Sequence, residues 1–166
     1  MDTDRLKELL SELQFAASLP PKALEQLAVT SQVRDFAAGS VLFKEGSESH
    51  DLYLIAAGQV ALDMNVPGRG SVRILTLGAG DMVGWSAVLA EGRMTATALA
   101  VTQTRAVVAS GEKLLELCES DHEVGYQLMR RMATALSRRL VATRLQLLDL
   151  FSDDPPNLPS EIEVQP

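Results

Sequence analysis

The middle of the chain, from Ser31 to Ala109, is a succession of short β-rich segments separated by glycine, asparagine or proline turns. The segments read, in order, SQVRDF, SVLFKEG, DLYLIAAG, QVALDM, SVRILTLG, TATALA and TRAVVA. Short strands that recur about every 8–12 residues are typical of sandwiches, jelly rolls and barrels, whereas βαβ units would place a helix between strands. The pattern therefore predicts an antiparallel β-roll or jelly roll over residues 31–109.

Helices flank this region on both sides. Before it, four leucines recur at helical spacing, at Leu6, Leu9, Leu10 and Leu13. Pro20 and Pro21 suit the first turn of a second short helix. After it, Ser110 is the predicted N-cap of one helix, and Ser120 with Glu123 forms a capping box that opens a helix of about 30 residues. The predicted fold class is α+β, mainly β, with N-terminal helices and a long C-terminal dimerisation helix around the roll.

The long helix carries apolar residues with the alternating four- and three-residue spacing of a coiled-coil seam. They are Met129, Ala133, Leu136, Leu140, Thr143, Leu147 and Leu150. We expect the first two turns of this stripe to pack on the β core. A helix this long has more apolar surface than its own domain can cover, so the rest of the stripe predicts a two-fold helix–helix contact and hence a homodimer.

Chain length and composition indicate one domain and a short tail. The chain has 166 residues, of which 46% are hydrophobic and 4% aromatic, so the core is expected to be aliphatic. One domain is predicted over 1–151, with a helical part at 1–30, the β-roll at 31–109 and the C-terminal helices at 110–151. The acidic, proline-rich segment 152–166 is predicted to be disordered.

Charge and cysteine content constrain the surroundings and the partners. A net charge of −7 and a pI of about 4.8 argue against nucleic acid as the main partner. The N-terminus lacks the apolar stretch of a signal peptide, and no run approaches the roughly 20 apolar residues that cross a bilayer, so no membrane contact is expected. The single cysteine, Cys118, fits a reducing compartment, and we expect a cytoplasmic protein.

Residues suited to catalysis or metal binding are sparse. His50 and His122 lie far apart, and Cys118 is the only thiol, which gives no zinc-ligand spacing. The chain has no nucleophile elbow, so neither a metal site nor an enzymatic activity is predicted. The long helix carries five arginines, Arg130, Arg131, Arg138, Arg139 and Arg144. In an acidic chain these favour a solvated face over a binding patch.

The segment GDMVGWSAVLAEGRMTATA is the candidate functional site. It reads as a strand end, a glycine turn at Gly84, one short helix and a following arginine, Arg93. Backbone N–H groups at the start of a helix lack helical partners and favour an anion, which makes those of Ser86, Ala87 and Val88 candidate donors. Arg93 could add a bidentate phosphate contact. Taken alone, the pattern is also typical of an ordinary strand–helix–strand corner.

Residues 36–62 resemble the first half of a cyclic nucleotide-binding domain, as in catabolite-activator-like regulators and kinase regulatory subunits. The matching positions are Phe36, Gly39, Leu42, Phe43, Glu45, Gly46, Leu52, Tyr53, Ile55, Gly58 and Val60. The resemblance, which spans residues 10–150, implies that 80–98 is the phosphate-binding cassette and that the long helix forms the dimer. The implied ligand is a cyclic nucleotide or another phosphate-bearing small molecule, and the implied mechanism is a repositioning of the C-terminal helices.

The cassette departs from the family pattern, which reads roughly F-G-E-L-A-L followed by R-x-A-[ST]. Val83 replaces the phenylalanine, Trp85 replaces the glutamate that accepts from the ribose 2′-hydroxyl, and Met94 stands at the arginine position. Arg93 lies one residue early, and in a strand such a shift turns the side chain to the opposite face. Each polar loss should cost about 1.5–3 kcal/mol, so cAMP and cGMP are expected to bind about a hundredfold to several thousandfold more weakly.

The cassette is also similar to that of a subgroup of stand-alone bacterial domains that carry GWS and R-x-T-A-T-A. In such a cassette Trp85 either stacks on a flat ligand or fills the pocket. The candidate ligand-binding residues are Gly84, Trp85, Ser86, Ala87, Val88, Arg93, Thr95 and Thr97.

These features predict a stand-alone regulatory or sensor domain that binds a nucleotide-like or other anionic small molecule, or relays signals as a dimer. The alternative from a different class is a ligand-free dimerisation or protein-interaction module. A further alternative, a transcriptional regulator without its own helix-turn-helix, is disfavoured by the acidic charge.

Overall fold

The fold consists of eight strands and five helices in the part of the chain that the computed structural model describes, residues 2–89 and 92–152. The helices are α1 (Thr3–Glu12), α2 (Pro21–Val29), α3 (Ser86–Leu89), α4 (Gly111–Ser120) and α5 (His122–Ser152). The strands are β1 (Ser31–Phe36), β2 (Val41–Phe43), β3 (Asp51–Ala57), β4 (Val60–Val66), β5 (Gly70–Leu77), β6 (Met82–Val83), β7 (Thr97–Ala100) and β8 (Thr104–Ser110).

The strands form two four-stranded antiparallel sheets, ordered β1-β8-β3-β6 and β2-β7-β4-β5. The predicted antiparallel β-roll with flanking helices is therefore confirmed. Seven of the strands correspond to the seven predicted segments. Strand β6 (Met82–Val83) is the strand end predicted before the glycine turn of the cassette segment.

One apolar cluster joins the two sheets. From the first sheet and its neighbours it takes Tyr53, Ile55, Val83, Ala87, Ala106 and Val108, and from the second sheet and the segment before β7 it takes Phe43, Val60, Leu62, Leu77, Met94, Ala96 and Ala98. Alternation along β3 places Tyr53 and Ile55 in this cluster and buries Leu52 and Leu54 on the opposite face. Leu52 there lines a void of only about 10 Å³ together with helical residues such as Leu27 and Leu128. Strand β3 is thus buried on both of its faces, by the second sheet on one side and by the helices on the other.

Ser110 is the N-cap of α4, as predicted, because its hydroxyl accepts a hydrogen bond from the N–H of Lys113 at 3.4 Å. The predicted capping box at Ser120 is wrong. Ser120 is the last residue of α4, and its hydroxyl donates to the carbonyl of Leu117 at 3.1 Å. The turn into α5 is made by the residue that follows.

Asp121 caps α5 in place of Ser120. Its carboxylate accepts a hydrogen bond from the N–H of Val124 at 3.2 Å and forms an ion pair with Lys22 of α2. The hydrogen bond with Lys22 and that with Val124 hold the pKa of Asp121 below its ordinary value. A carboxylate is preferred here because it satisfies a free helix N–H and a neighbouring ammonium group at once.

The chain divides into two compact units, Met1–Ala135 and Leu136–Pro166. In the first unit, Val124, Leu128 and Met132 bury one face of the start of α5. In the second, the predicted tail 152–166 lies outside the described residues except for Ser152, which ends α5. No helix within the described ranges is long and apolar enough to span a bilayer.

Candidate functional site

The cassette begins with a sharp turn at Gly84, between β6 and α3. Gly84 has a φ of +83°, which is accessible to glycine without strain. A Cβ at this position would also lie 2.7 Å from the carbonyl oxygen of Asp51 and 3.2 Å from the Tyr53 ring. A side chain is excluded on both counts, so the turn holds the cassette directly against β3.

Two of the three predicted anion donors already have acceptors within the turn. The N–H of Ala87 donates to the carbonyl of Gly84, and the N–H of Val88 donates to the carbonyl of Trp85, both at 3.1 Å. Helix α3 is a single turn, so these two N–H groups at its start are already hydrogen-bonded to carbonyls of the preceding residues. An anion at this turn would have to compete with these hydrogen bonds.

Arg93 and Met94 face opposite ways. The side chain of Arg93 is exposed, and its backbone bridges to Glu48 across an antiparallel pair. Met94 is only 2% exposed and belongs to the apolar cluster between the sheets. The predicted reversal is confirmed. A thioether therefore occupies the interior position at which the resemblance implies a guanidinium, and that interior position carries no positive charge.

The two predicted threonine contacts differ in their surroundings. Thr95 is exposed, whereas the hydroxyl of Thr97 accepts a hydrogen bond from the N–H of Glu45 at 3.0 Å. The Glu45 carboxylate accepts in turn from the N–H of Asn65 at 2.7 Å. Glu45 thereby ties the end of β2 to β7 and β4. Its partners lie 52 and 20 residues away along the chain, so sequence spacing gave no sign of this link.

Trp85 is half-buried beside the turn. Among the described residues, the partly buried apolar side chains that pack against the cluster between the sheets are Phe36, Leu42 and Leu75. Met94 belongs to that cluster, and Trp85 lies outside it. This placement favours a tryptophan available to a flat ligand over one that fills the interior.

Tyr53 lies against the turn from inside the roll, since its ring would be 3.2 Å from a Cβ on Gly84. Its ring contacts Phe36 and Phe43, with centroids 6.0 Å and 5.9 Å away. Burial raises its pKa above the ordinary value, so the phenol keeps its proton. Tyr53 was identified from sequence as a fold position only; its place against Gly84 depends on the pairing of β3 with β6.

Two glycines bring the cassette, α4 and α5 into backbone contact. A Cβ on Gly111, the first residue of α4, would lie 2.8 Å from the carbonyl carbon of Ala87 in α3 and closer still to its oxygen. The N–H of Gly111 also donates to the carbonyl of His50 at 2.7 Å. A Cβ on Gly125 of α5 would lie 2.7 Å from the carbonyl oxygen of Cys118 in α4. At these contacts no flexible side chain lies between the elements to absorb a movement. A shift of α3 must therefore move α4, and a shift of α4 must move α5.

The predicted dimer seam is described in part. Met129 and Leu136 are half-buried, Ala133 and Thr143 are exposed, and Leu140 is 52% exposed. The side chains of Leu147 and Leu150 lie outside those the structure describes. Leu140 and Thr143 are thus the exposed seam positions among the described side chains of the second unit.

Within residues 2–89 and 92–152, no three histidine, cysteine, aspartate or glutamate side chains are grouped so as to hold a metal ion. His50 lies in the loop before β3, and His122 is the first residue of α5. The predicted absence of a metal site stays a prediction.

The sequence model of the cyclic nucleotide-binding domain matches residues 33–121. A CRP-like cAMP-activated global transcriptional regulator from Mycobacterium tuberculosis is 29% identical over 151 residues, which cover 91% of this chain and 66% of the regulator. The structure of the Thermus thermophilus catabolite activator protein is 29% identical with a TM-score of 0.67, over 84% of this chain and 63% of that one. The chain thus spans less than two thirds of the length of both regulators.

A cyclic nucleotide-binding domain from Methylobacillus flagellatus superposes with a TM-score of 0.77 over 89% of this chain and 83% of that one. Its sequence identity is 20%, so the likeness concerns the fold alone.

Proposed function

Because the chain belongs to the cyclic nucleotide-binding domain family, we propose that it is a regulatory domain whose cassette controls the C-terminal helices and that works as a homodimer. The contacts of Ala87 with Gly111 and of Cys118 with Gly125 carry this proposal. They form an unbroken backbone connection from α3 through α4 to α5. A ligand or partner that displaces α3 would therefore displace the helix that carries the predicted dimer seam.

A nucleotide-like or other anionic small molecule is the proposed input. The Arg93 side chain is exposed and takes part in none of the ion pairs between described residues, so it is available to an anion. Trp85 is half-buried at the start of the same segment and offers a flat surface. Such a ligand would sit on the outer side of the cassette.

Cyclic AMP is the first compound to consider, since the mycobacterial relative is described as cAMP-activated. Met94 in the interior argues for weak binding. A phosphate placed inside the roll would face a buried apolar side chain and would lose its water without gaining a cation. We expect cAMP and cGMP to bind far more weakly than a cassette with an interior arginine would allow.

A ligand-free dimerisation and protein-interaction module is the second candidate. The observation in its favour is the apolar interior, where Met94, Ala96 and Ala98 belong to one buried cluster with Phe43 and Leu62. In this case the same connection from α3 to α5 would respond to a protein partner.

Calorimetry and thermal shift with cAMP and cGMP, on the wild-type chain and on Arg93→Ala, separate the two candidates. If an anion binds at the outer side, millimolar nucleotide should give heat and raise the melting temperature, and Arg93→Ala should abolish both. Arg69→Ala, an exposed arginine in the β4–β5 hairpin, is the matched control. No heat and no shift with either nucleotide would remove cyclic nucleotides as the input. Equal binding by wild type and Arg93→Ala would remove Arg93 from the site.

A further inference from the structure

Helix α5 has a second apolar face that the predicted seam does not use. Val141 and Leu145 are 53% and 57% exposed. Val141 follows Leu140 directly and so lies about 100° around the helix from the seam. Leu145, four residues on, continues the face of Val141. A two-fold contact through Leu140 would therefore leave Val141 and Leu145 in water.

Arginines lie on both edges of this second face. Arg138 and Arg144 stand three residues before and three residues after Val141, and both are exposed. Neither takes part in an ion pair with any described residue. An apolar strip with cations on its edges is complementary to a surface with an apolar centre and carboxylates around it.

The domain itself offers such a surface. A groove of about 530 Å³ runs between α3 and α4, and its lining comprises His50, Ala87, Glu112, Leu115, Glu116 and Glu119. The four α4 residues are spaced three, one and three apart and share one helix face. Leu115 at its centre is 40% exposed. The three glutamates are exposed and form no ion pair within the part of the chain that the structure describes.

We propose that this groove receives the Val141–Leu145 face of α5 from a second copy of the chain. Leu115 would meet the apolar strip, and Glu112 and Glu116 would meet Arg138 and Arg144. A second copy is the occupant because each chain carries both the groove and the complementary Val141–Leu145 face. A two-fold arrangement of two copies would therefore form the contact twice. The acidic groove disfavours a lipid or nucleic-acid occupant.

The contact would also couple each copy to the cassette of the other. Ala87 belongs to α3 and to the groove wall at once. A shift of α3 would therefore change the groove that holds the partner's helix. The inference rests on the proposed homodimer, but it uses a different face of α5 from the seam.

Reciprocal charge reversal tests the pairing. One variant carries Glu112→Arg and Glu116→Arg, and the other carries Arg138→Glu and Arg144→Glu. Each variant alone would oppose like charges at both contacts, and its dissociation constant in sedimentation equilibrium should rise at least about tenfold. Mixed together, the two variants should form a heterodimer of near wild-type affinity, because both contacts then join opposite charges. All of these side chains are exposed, and thermal melts verify that each variant is folded.

Glu25→Arg and Arg69→Glu, which reverse exposed charges elsewhere, are the controls and should leave association unchanged. If the reversed pairs dimerise like the wild type, or if mixing restores nothing, the groove contact is wrong. Leu140→Asp separates this failure from that of the homodimer itself. Dissociation by Leu140→Asp alone would leave the proposed seam dimer standing and overturn only the groove contact, whereas a wild-type chain that is monomeric at all concentrations would overturn both.

Discussion

The carbonyl oxygen of Cys118 in α4 lies 2.7 Å from the point that a Cβ on Gly125 of α5 would occupy. Because the obstacle is backbone, it can give way only if one helix moves. We expect Gly125→Ala to destabilise the chain by about 1–3 kcal/mol in urea unfolding, despite the better helix propensity of alanine. Amide exchange at the start of α5 should rise as well.

Gly78→Ala is the control for that substitution. A Cβ at Gly78 would meet nothing within 4 Å, and its backbone is outside the left-handed region. Its stability should stay within about 0.5 kcal/mol of the wild type. A Gly125→Ala variant as stable as Gly78→Ala would show that α4 and α5 can move apart at little cost. The proposed backbone connection from α3 to α5 would then be broken between α4 and α5.

Replacing Met94 by alanine should destabilise the β-roll. Met94 is only 2% exposed and lies among apolar neighbours from both sheets. Removing such a side chain should cost about 2–5 kcal/mol, through lost burial and the cavity left behind. The adjacent Thr95 is exposed, so Thr95→Ala should change stability by about 0.5 kcal/mol or less. Similar costs for the two variants would contradict the inward orientation of Met94.

Acid should weaken the junction between α4 and α5. Hydrogen bonds from Lys22 and from the N–H of Val124 lower the pKa of Asp121 below its ordinary value of 3.8. A carboxyl with a pKa lowered by folding contributes stability above its unfolded pKa, and that stability is lost as the pH falls through the folded pKa. We therefore expect Asp121 to make unfolding easier as the pH falls below about 4.

Three substitutions divide the contribution of Asp121 into its parts. Asp121→Asn keeps an N-cap acceptor but loses the ion pair, so it should lower stability at pH 7 and flatten the acid dependence. Asp121→Ala loses the cap as well and should be less stable than Asp121→Asn. Lys22→Met removes the ion pair from the other side, and a response unlike that of Asp121→Asn would assign the effect to something other than the pair.

Leu140→Asp should dissociate the proposed homodimer while leaving the monomer folded. Leu140 is more than half exposed in a single chain, so a charge there costs little until a partner helix covers it. Sedimentation velocity at increasing concentration should show wild-type dimer and Leu140→Asp monomer. Ala142→Asp, on the far side of the helix from Leu140, should remain dimeric. Dimers of both variants would place the interface elsewhere.

Strand positions were largely predictable because alternation is a local property. The segment SQVRDF coincides with β1 from end to end. The orientation of Arg93 and Met94 was predictable for the same reason, since neighbours in an extended chain face opposite ways. The antiparallel pairing of β1 with β8 is not a local property, and the sequence did not predict it. Strand β6 has only two residues and shows no alternation, so the sequence indicated it only through the glycine turn that follows it.

Contacts between distant segments were not predictable. Ser120 has the right residue type for a cap, yet Lys22, almost a hundred residues earlier in the sequence, favours a carboxylate at Asp121 instead. The link of Glu45 to Thr97 and Asn65 also depends on which strands pair. The same holds for the groove between α3 and α4, whose lining residues come from three separate parts of the chain.

Trp85 is the only tryptophan in the chain, and it stands at the turn into α3. Excitation at the red edge of the protein absorption band therefore gives fluorescence from the Trp85 indole alone. Because the indole is half-buried, its emission can move in either direction, towards the blue if a ligand covers it and towards the red if the turn opens. The unmodified protein thus carries its own optical reporter at the point where an input would arrive.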